Sequence, residues 1–200
     1  MADRTPDRTP PDDSDLDAGD FARWLDDMQA ALRGERDADV PCAGCTACCT
    51  SSQFVHIAPD ETDTLAHIPA ALLFPAPRMP HGHVLLGYDE HGHCPLLVDN
   101  QCSIYDHRPR TCRTYDCRVF PAAGIEIEPD KESIARRVRR WRFTVATPED
   151  QIRLDAVRAA ARFVDQPNRT GQAVLAIETH TRFLPHDRAD DPYPAAPDGQ

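Results

Sequence analysis

No run of apolar residues in this 200-residue chain approaches the roughly 20 that a membrane-spanning helix requires. A charged-then-apolar opening segment of the secretory type is missing as well. The chain instead starts acidic and broken by prolines, which predicts a protein of the cytoplasm. Large apolar residues are scarce at both ends. Between Met1 and Asp20, Leu16 is the only one after the initiator, set among Asp3, Asp7, Asp12, Asp13, Asp15 and Asp17. Pro185, Pro192, Pro194 and Pro197 break up the other end. Such segments bury too little apolar surface to offset the entropy of ordering them. Residues 1–19 and 185–200 are therefore expected to be disordered tails around a single domain at 20–184. Lysine is nearly absent, with Lys131 alone, so the basic charge is arginine. The net charge of −11 argues against a non-specific nucleic-acid binder.

What the chain does contain is eight cysteines in two groups. The first is Cys42, Cys45, Cys48 and Cys49, a C-x2-C-x2-C-C run. The second, Cys94, Cys102, Cys112 and Cys117, is spread out. A C-x2-C unit lets two thiolates reach one ion, because the residues between them form a tight turn. Gly44 suits that turn, since glycine tolerates positive φ. C-x2-C-x2-C resembles the start of a bacterial ferredoxin motif, where a remote cysteine completes the set. Cys94, followed by Pro95, is a candidate for that remote ligand. The adjacent pair Cys48–Cys49 departs from the ferredoxin pattern, because neighbouring side chains diverge. Eight thiolates suffice for two tetrahedral zinc sites, for one iron–sulfur cluster with spare cysteines, or for a mixture. The second group has no C-x2-C pair, so both groups are expected to converge. Arg108, Arg110, Arg113 and Arg118 surround Cys112 and Cys117 and could offset the surplus negative charge.

The order of these pieces resembles the YkgJ-type cysteine-cluster (CxxCxxCC) family. The resemblance rests on the first run, Gly92-His93-Cys94-Pro95-Leu96-Leu97, Cys102-Ser103-Ile104-Tyr105, Arg108-Pro109-Arg110-Thr111-Cys112-Arg113 and Cys117, and it covers roughly 41–120. It implies zinc or iron chelation by all eight cysteines. A related branch includes flagellin lysine N-methylases, but this chain is short for that branch and has no glycine-rich loop for a nucleotide-like cofactor.

The expected architecture is α+β: a small, irregular cysteine-rich unit with short hairpin strands, centred on metal rather than on a large apolar core, followed by three helices. An N-terminal helix carries Phe21, Trp24, Leu25, Met28 and Leu32, with Asp17 or Asp20 as cap and Gly34 as stop. The three later helices are read at 131–143, capped by Asp130, from Pro148 to Val164, and from an Asn168 or Thr170 cap to near Leu184. His81, His83, His91 and His93 read as exposed loop histidines, although His93 adjoins Cys94. Arg136, Arg137, Arg139, Arg140 and Arg142 flank Trp141. They read as a solvated face with Trp141 turned inward, with docking of the acidic N-terminus or a grip on nucleic-acid phosphate and bases as other uses. No paired carboxylates or nucleophile–histidine pairing point to catalysis. The predicted function is metal binding without a catalytic cycle. The alternatives are an iron–sulfur protein in electron transfer or accessory to protein modification, and a zinc-stabilised nucleic-acid or protein adaptor.

Overall fold

A computed structural model describes residues 14–38, 40 and 44–185. Strand β1 (Leu16–Asp20) runs straight into helix α1 (Phe21–Leu32). The Asp20 carboxylate accepts the Arg23 N–H and caps α1, which decides between the two caps the sequence offers, Asp17 and Asp20. Phe21, Trp24, Leu25 and Met28 form its buried face. A 3-10 turn at Cys48–Thr50 is followed by β2 (Val55–Ile57), α2 (Thr62–His67), β3 (Leu73–Pro75) and β4 (Val84–Leu86). Strand β4 lies between β2 and β3, antiparallel to both. Next come β5 (Leu97–Val98) and β6 (Gln101–Cys102), a hairpin turned by Asp99 and Asn100, both at positive φ. Helices α3 (Arg110–Thr114) and α4 (Val119–Ala123) precede α5 (Glu132–Arg140), strand β7 (Trp141–Thr144), α6 (Pro148–Phe163) and α7 (Arg169–Thr179). The fold is α+β, and no helix among the described residues is long and apolar enough to cross a membrane.

Helix α6 starts at a capping box. The Thr147 hydroxyl accepts the Asp150 N–H, the Asp150 carboxylate accepts the Thr147 N–H, and Pro148 fills the first turn. Helix α7 is capped by Asn168, whose side-chain oxygen accepts the Gly171 N–H at 2.7 Å. Helix α5, in contrast, begins without a side-chain cap. Its N-cap position is Lys131, not Asp130, and the Lys131 ammonium donates to the Ser51 carbonyl at 2.9 Å. That bond fastens α5 to the turn that carries Cys48 and Cys49.

Two expectations fail at the same place. Residues 16–19, assigned to a disordered tail, form β1 and pair in parallel with β7, Leu16 opposite Trp141 and Asp17 opposite Arg142. Residues 141–143, assigned to a helix, form β7 instead. Ala18 is buried, its carbonyl accepts the Arg118 guanidinium at 3.1 Å, and Arg142 pairs with Asp15 at 3.0 Å. Arg140 Nε also donates to the Ser14 carbonyl at 2.7 Å. The arginine-rich segment thus grips the acidic N-terminal stretch, while Trp141 is buried. The remainder of that tail, 1–13, and the C-terminal stretch from 186 lie outside the described residues.

The packing also differs from a wholly metal-centred unit. Helices α1, α4, α5, α6 and α7 enclose one apolar core around Phe21, Leu25, Phe120, Val157 and Ile177. Fully burying each such side chain is worth about 1.5–3 kcal/mol. A smaller cluster of Ile57, Ile68, Leu86, Leu96 and Ile104 underlies the strands. Cys48 and Cys117 pack against the helical core, and Cys94 and Cys102 against the smaller cluster. The cysteines therefore stand where the two apolar units meet.

Candidate metal centre

Gly44 takes φ +69°, the left-handed turn expected of it. The chain then coils into the turn Cys48–Thr50. The Thr50 hydroxyl donates to the Thr46 carbonyl at 3.1 Å and the Ser51 hydroxyl to the Ala47 carbonyl at 2.6 Å. From this turn the backbone is stitched to the second cysteine group. Cys94 N–H donates to the Cys49 carbonyl at 2.7 Å, and Ser52 N–H to the Gly92 carbonyl at 2.8 Å. The Asp89 carboxylate shapes the loop ahead of Cys94 by accepting the His91 and His93 N–H groups at 2.9 and 2.8 Å. The β5–β6 hairpin sets Cys102 opposite Leu97. Helix α3 carries Cys112 and is tied to β2 by the Thr111 hydroxyl, which donates to the His56 carbonyl at 2.7 Å.

Cys45, Cys48 and Cys49 from the first group and Cys94, Cys102 and Cys112 from the second line one cavity of about 280 Å³. Its other walls are mainly apolar, with Phe54, Leu86, Leu96 and Ile104 among them, and Arg108 is the one cation there among the described residues. All seven described cysteines are free thiols. Cys42 lies outside the described residues. Cys117 does not line the cavity. Its Sγ accepts the indole N–H of Trp141 at 3.2 Å, and both are partly or fully buried. His93 is exposed and apart from the cavity lining. Arg108 is the only arginine of the four expected to serve the thiolates that borders this space. Arg110 pairs with Asp60 and Arg113 with Asp37, and Arg118 is buried against Asp116.

The electrostatics sort the thiols into two neighbourhoods. The Cys112 thiol is pushed up to about 12, first by burial, then by Cys49, Cys94 and Cys102 close by, with Arg108 pulling the other way. Burial also raises the Cys94 thiol, and Cys102 and Asp89 add to it. The Tyr115 hydroxyl is raised by burial and then by Cys48 and Cys117. Thiolates gathered in an apolar space repel one another and lack solvation, so a cation among them relieves both penalties. This donor chemistry fits a thiophilic metal. The sulfurs are not drawn tight around a single point, however. Among the described residues no three cysteine sulfurs lie within 4.8 Å of one another, whereas four thiolates on one zinc ion sit about 3.8 Å apart.

Sequence reasoning missed the Trp141 contact to Cys117, because an aromatic at helical spacing signals only core packing. Comparison with curated proteins and with solved structures returned no match. Residues 41–135 match the family model CxxCxxCC, described as a "putative zinc- or iron-chelating domain". The match begins at the first cysteine group and ends within α5, so it takes in every cysteine and leaves α6 and α7 outside.

Proposed function

We propose that this protein binds metal on thiolates drawn from both cysteine groups, with Cys49, Cys94, Cys102 and Cys112 as one ligand set, Cys45, Cys48 and Cys117 beside them, and Cys42 as a further ligand of the first group. The observation that carries this reading is the convergence of six cysteines from the two groups on one cavity. A bound ion supplies the positive charge that lets these buried thiols ionise, and it ties the two apolar clusters together. Cys49 and Cys94 are placed by their shared backbone hydrogen bond, Cys102 by its hairpin, and Cys112 by α3. Arg108 is the cation available to balance surplus negative charge. The reading has the protein act as a metal-holding module in a reducing compartment, where such thiols persist.

The sulfur spacing favours a second reading in which the occupant is an iron–sulfur cluster. Each iron then takes its own cysteine, so the sulfurs need not share the shell of a single ion.

Anaerobic purification followed by metal and acid-labile sulfide analysis tests both. Bound zinc without sulfide supports the mononuclear reading; iron with sulfide and visible absorbance supports the cluster. Cys112→Ser and Cys94→Ser are each expected to lower the metal content. Protein that purifies without zinc or iron and fails to take up either ion would sink both readings.

A further inference from the structure

A second set of donors lies apart from the cysteines. Asp63 and His67 are one turn apart on α2, and His107 belongs to the 3-10 turn Tyr105–His107 that follows the β5–β6 hairpin. One donor atom from each lies within 4.8 Å of the other two. His107 Nδ1 is 2.8 Å from Asp63 Oδ2, and His67 Nδ1 is 3.8 Å from Asp63 Oδ1. The two imidazole rings stack with centroids 3.5 Å apart and planes 8° from parallel. Nitrogen and oxygen ligands sit about 2.0–2.2 Å from a transition metal, so ligand pairs are about 2.9–3.4 Å apart for right-angle to tetrahedral geometry. The two separations from Asp63 bracket that range. His67 Nδ1 also faces the Asp63 backbone carbonyl at 2.8 Å, so coordination requires both rings to turn from their stacked arrangement until their planes converge on an ion beside Asp63.

The elements that carry these donors are bonded to each other. Buried Glu61, at the start of α2, accepts the backbone N–H groups of Ala58 and Arg110. Buried Thr64 donates to the Arg108 carbonyl at 3.4 Å. The neighbouring cations are committed elsewhere: Arg110 to Asp60 at 2.8 Å, Arg113 to Asp37 at 2.7 Å, and Arg108 to the Tyr105 carbonyl at 2.8 Å. Asp63 is thus faced by two imidazoles on a fixed frame. Its side chain is 71 % exposed and those of His67 and His107 are 41 % and 39 % exposed, so water can complete a coordination shell and exchange is unhindered.

We propose that Asp63, His67 and His107 form a second, solvent-exchangeable site for a divalent transition-metal ion, separate from the cysteine cavity. Two imidazoles and a carboxylate suit zinc, cobalt, nickel or ferrous iron. They are too nitrogen-rich for calcium or magnesium and lack the soft sulfur of the cavity. Arg108 borders both the cysteine cavity and the hollow beside Asp63 and His107, so the two sites are neighbours with opposite ligand preferences. This inference stands whether or not the cysteines hold metal.

The test titrates the full chain, as purified, with Co2+, followed by calorimetry, absorbance and histidine-ring NMR. The expected result is one equivalent that broadens the His67 and His107 ring signals and adds no thiolate-to-cobalt charge-transfer absorption. His67→Ala and His107→Ala should each weaken that equivalent by about 10-fold or more. His91→Ala, an exposed histidine elsewhere, should leave it unchanged. Circular dichroism of the variants confirms that they remain folded. The proposal is overturned if no such equivalent binds, or if it survives with unchanged affinity in both variants. It is overturned equally if every equivalent shows the charge-transfer band, since the cysteines would then account for all binding.

Discussion

The backbone N–H of Cys94 donates to the carbonyl of Cys49 at 2.7 Å, joining the two cysteine groups directly through main chain. Beside it, Ser52 N–H bonds the Gly92 carbonyl at 2.8 Å. The register between the two groups is therefore a property of the main chain. It is set by a short stretch of paired backbone that holds sulfurs from distant parts of the chain around one space.

Gly92 is the weak point of that stitch. It sits at φ +78°, and an added Cβ would lie 2.3 Å from the Ser52 hydroxyl. Only that hydroxyl is so close, the Ser52 Cβ and N being 3.6 and 3.7 Å away, so relief requires the hydroxyl to rotate aside. Gly92→Ala should destabilise the protein by about 1–3 kcal/mol and lower metal content. Gly44→Ala, with no atom of the described residues within 4 Å of the added carbon, should show only the cost of its positive φ, about 1 kcal/mol. Adding Ser52→Gly to Gly92→Ala removes the clash and should recover part of the loss. Equal melting temperatures for Gly92→Ala and Gly44→Ala would contradict this account.

Much of this was written locally in the sequence. The Asp20 cap, the Thr147 capping box and the Asp99–Asn100 turn are decided by neighbours in the chain. The spread of the second cysteine group, with no C-x2-C pair, led to the expectation that the groups converge, and Cys49 and Cys112 do line one cavity. What was not legible depends on partners far away. Leu16 and Trp141 pair across the whole domain, and nothing in the polar stretch around Leu16 signals a strand. Asp63 and His67 show helical spacing, but only the fold brings His107 beside them.

Trp141 makes a second testable claim. Its indole N–H donates to Cys117 Sγ, and a hydrogen bond to a sulfur stabilises the thiolate form. Trp141→Phe keeps an aromatic ring in place while removing the N–H donor and part of the buried indole. A stability loss of about 1 kcal/mol is expected, with Cys117 becoming harder to ionise and slower to react with iodoacetamide in metal-free protein. If iron is bound, its reduction potential should fall. Unchanged Cys117 reactivity, read by mass spectrometry, would count against the contact.

The pH dependence of the metal-free protein follows from Cys112. Its thiol is raised from 9.0 to about 12 by burial and by the neighbouring cysteines, so the fold favours the protonated form. The sign is that of a group whose folded value lies above its unfolded one. Its contribution is complete below the ordinary thiol range and is lost as pH climbs from about 9 toward 12. Chelated protein should therefore unfold at progressively lower urea as pH rises from 8 to 10.5, and Cys112→Ala should flatten that slope. Metal-loaded protein should show the reverse sensitivity, losing its ion in acid as protons compete for the thiolates. A chelated wild type with no slope above pH 8.5 would be incompatible with a buried Cys112 thiol.

Removing metal should also divide the molecule along the seam between its apolar units. The helical core built on Phe21, Phe120, Val157 and Ile177 has apolar packing of its own. The smaller cluster of Ile57, Ile68, Leu86, Leu96 and Ile104 serves only strands of two or three residues and short helices. Elements that short are marginal without further support. An apparent binding energy on the order of 10 kcal/mol for a thiolate site is large beside what that cluster supplies. Chelation should therefore speed amide exchange across 44–114, while α6 and α7 remain protected. Phe120→Ala should do the opposite, loosening α4, α6 and α7 at a cost of about 3–5 kcal/mol. Hydrogen exchange with mass spectrometry, with and without chelator, distinguishes the two patterns. Uniform loss of protection across both units on chelation would show a single cooperative fold, and with it that the helices depend on metal as much as the strands do.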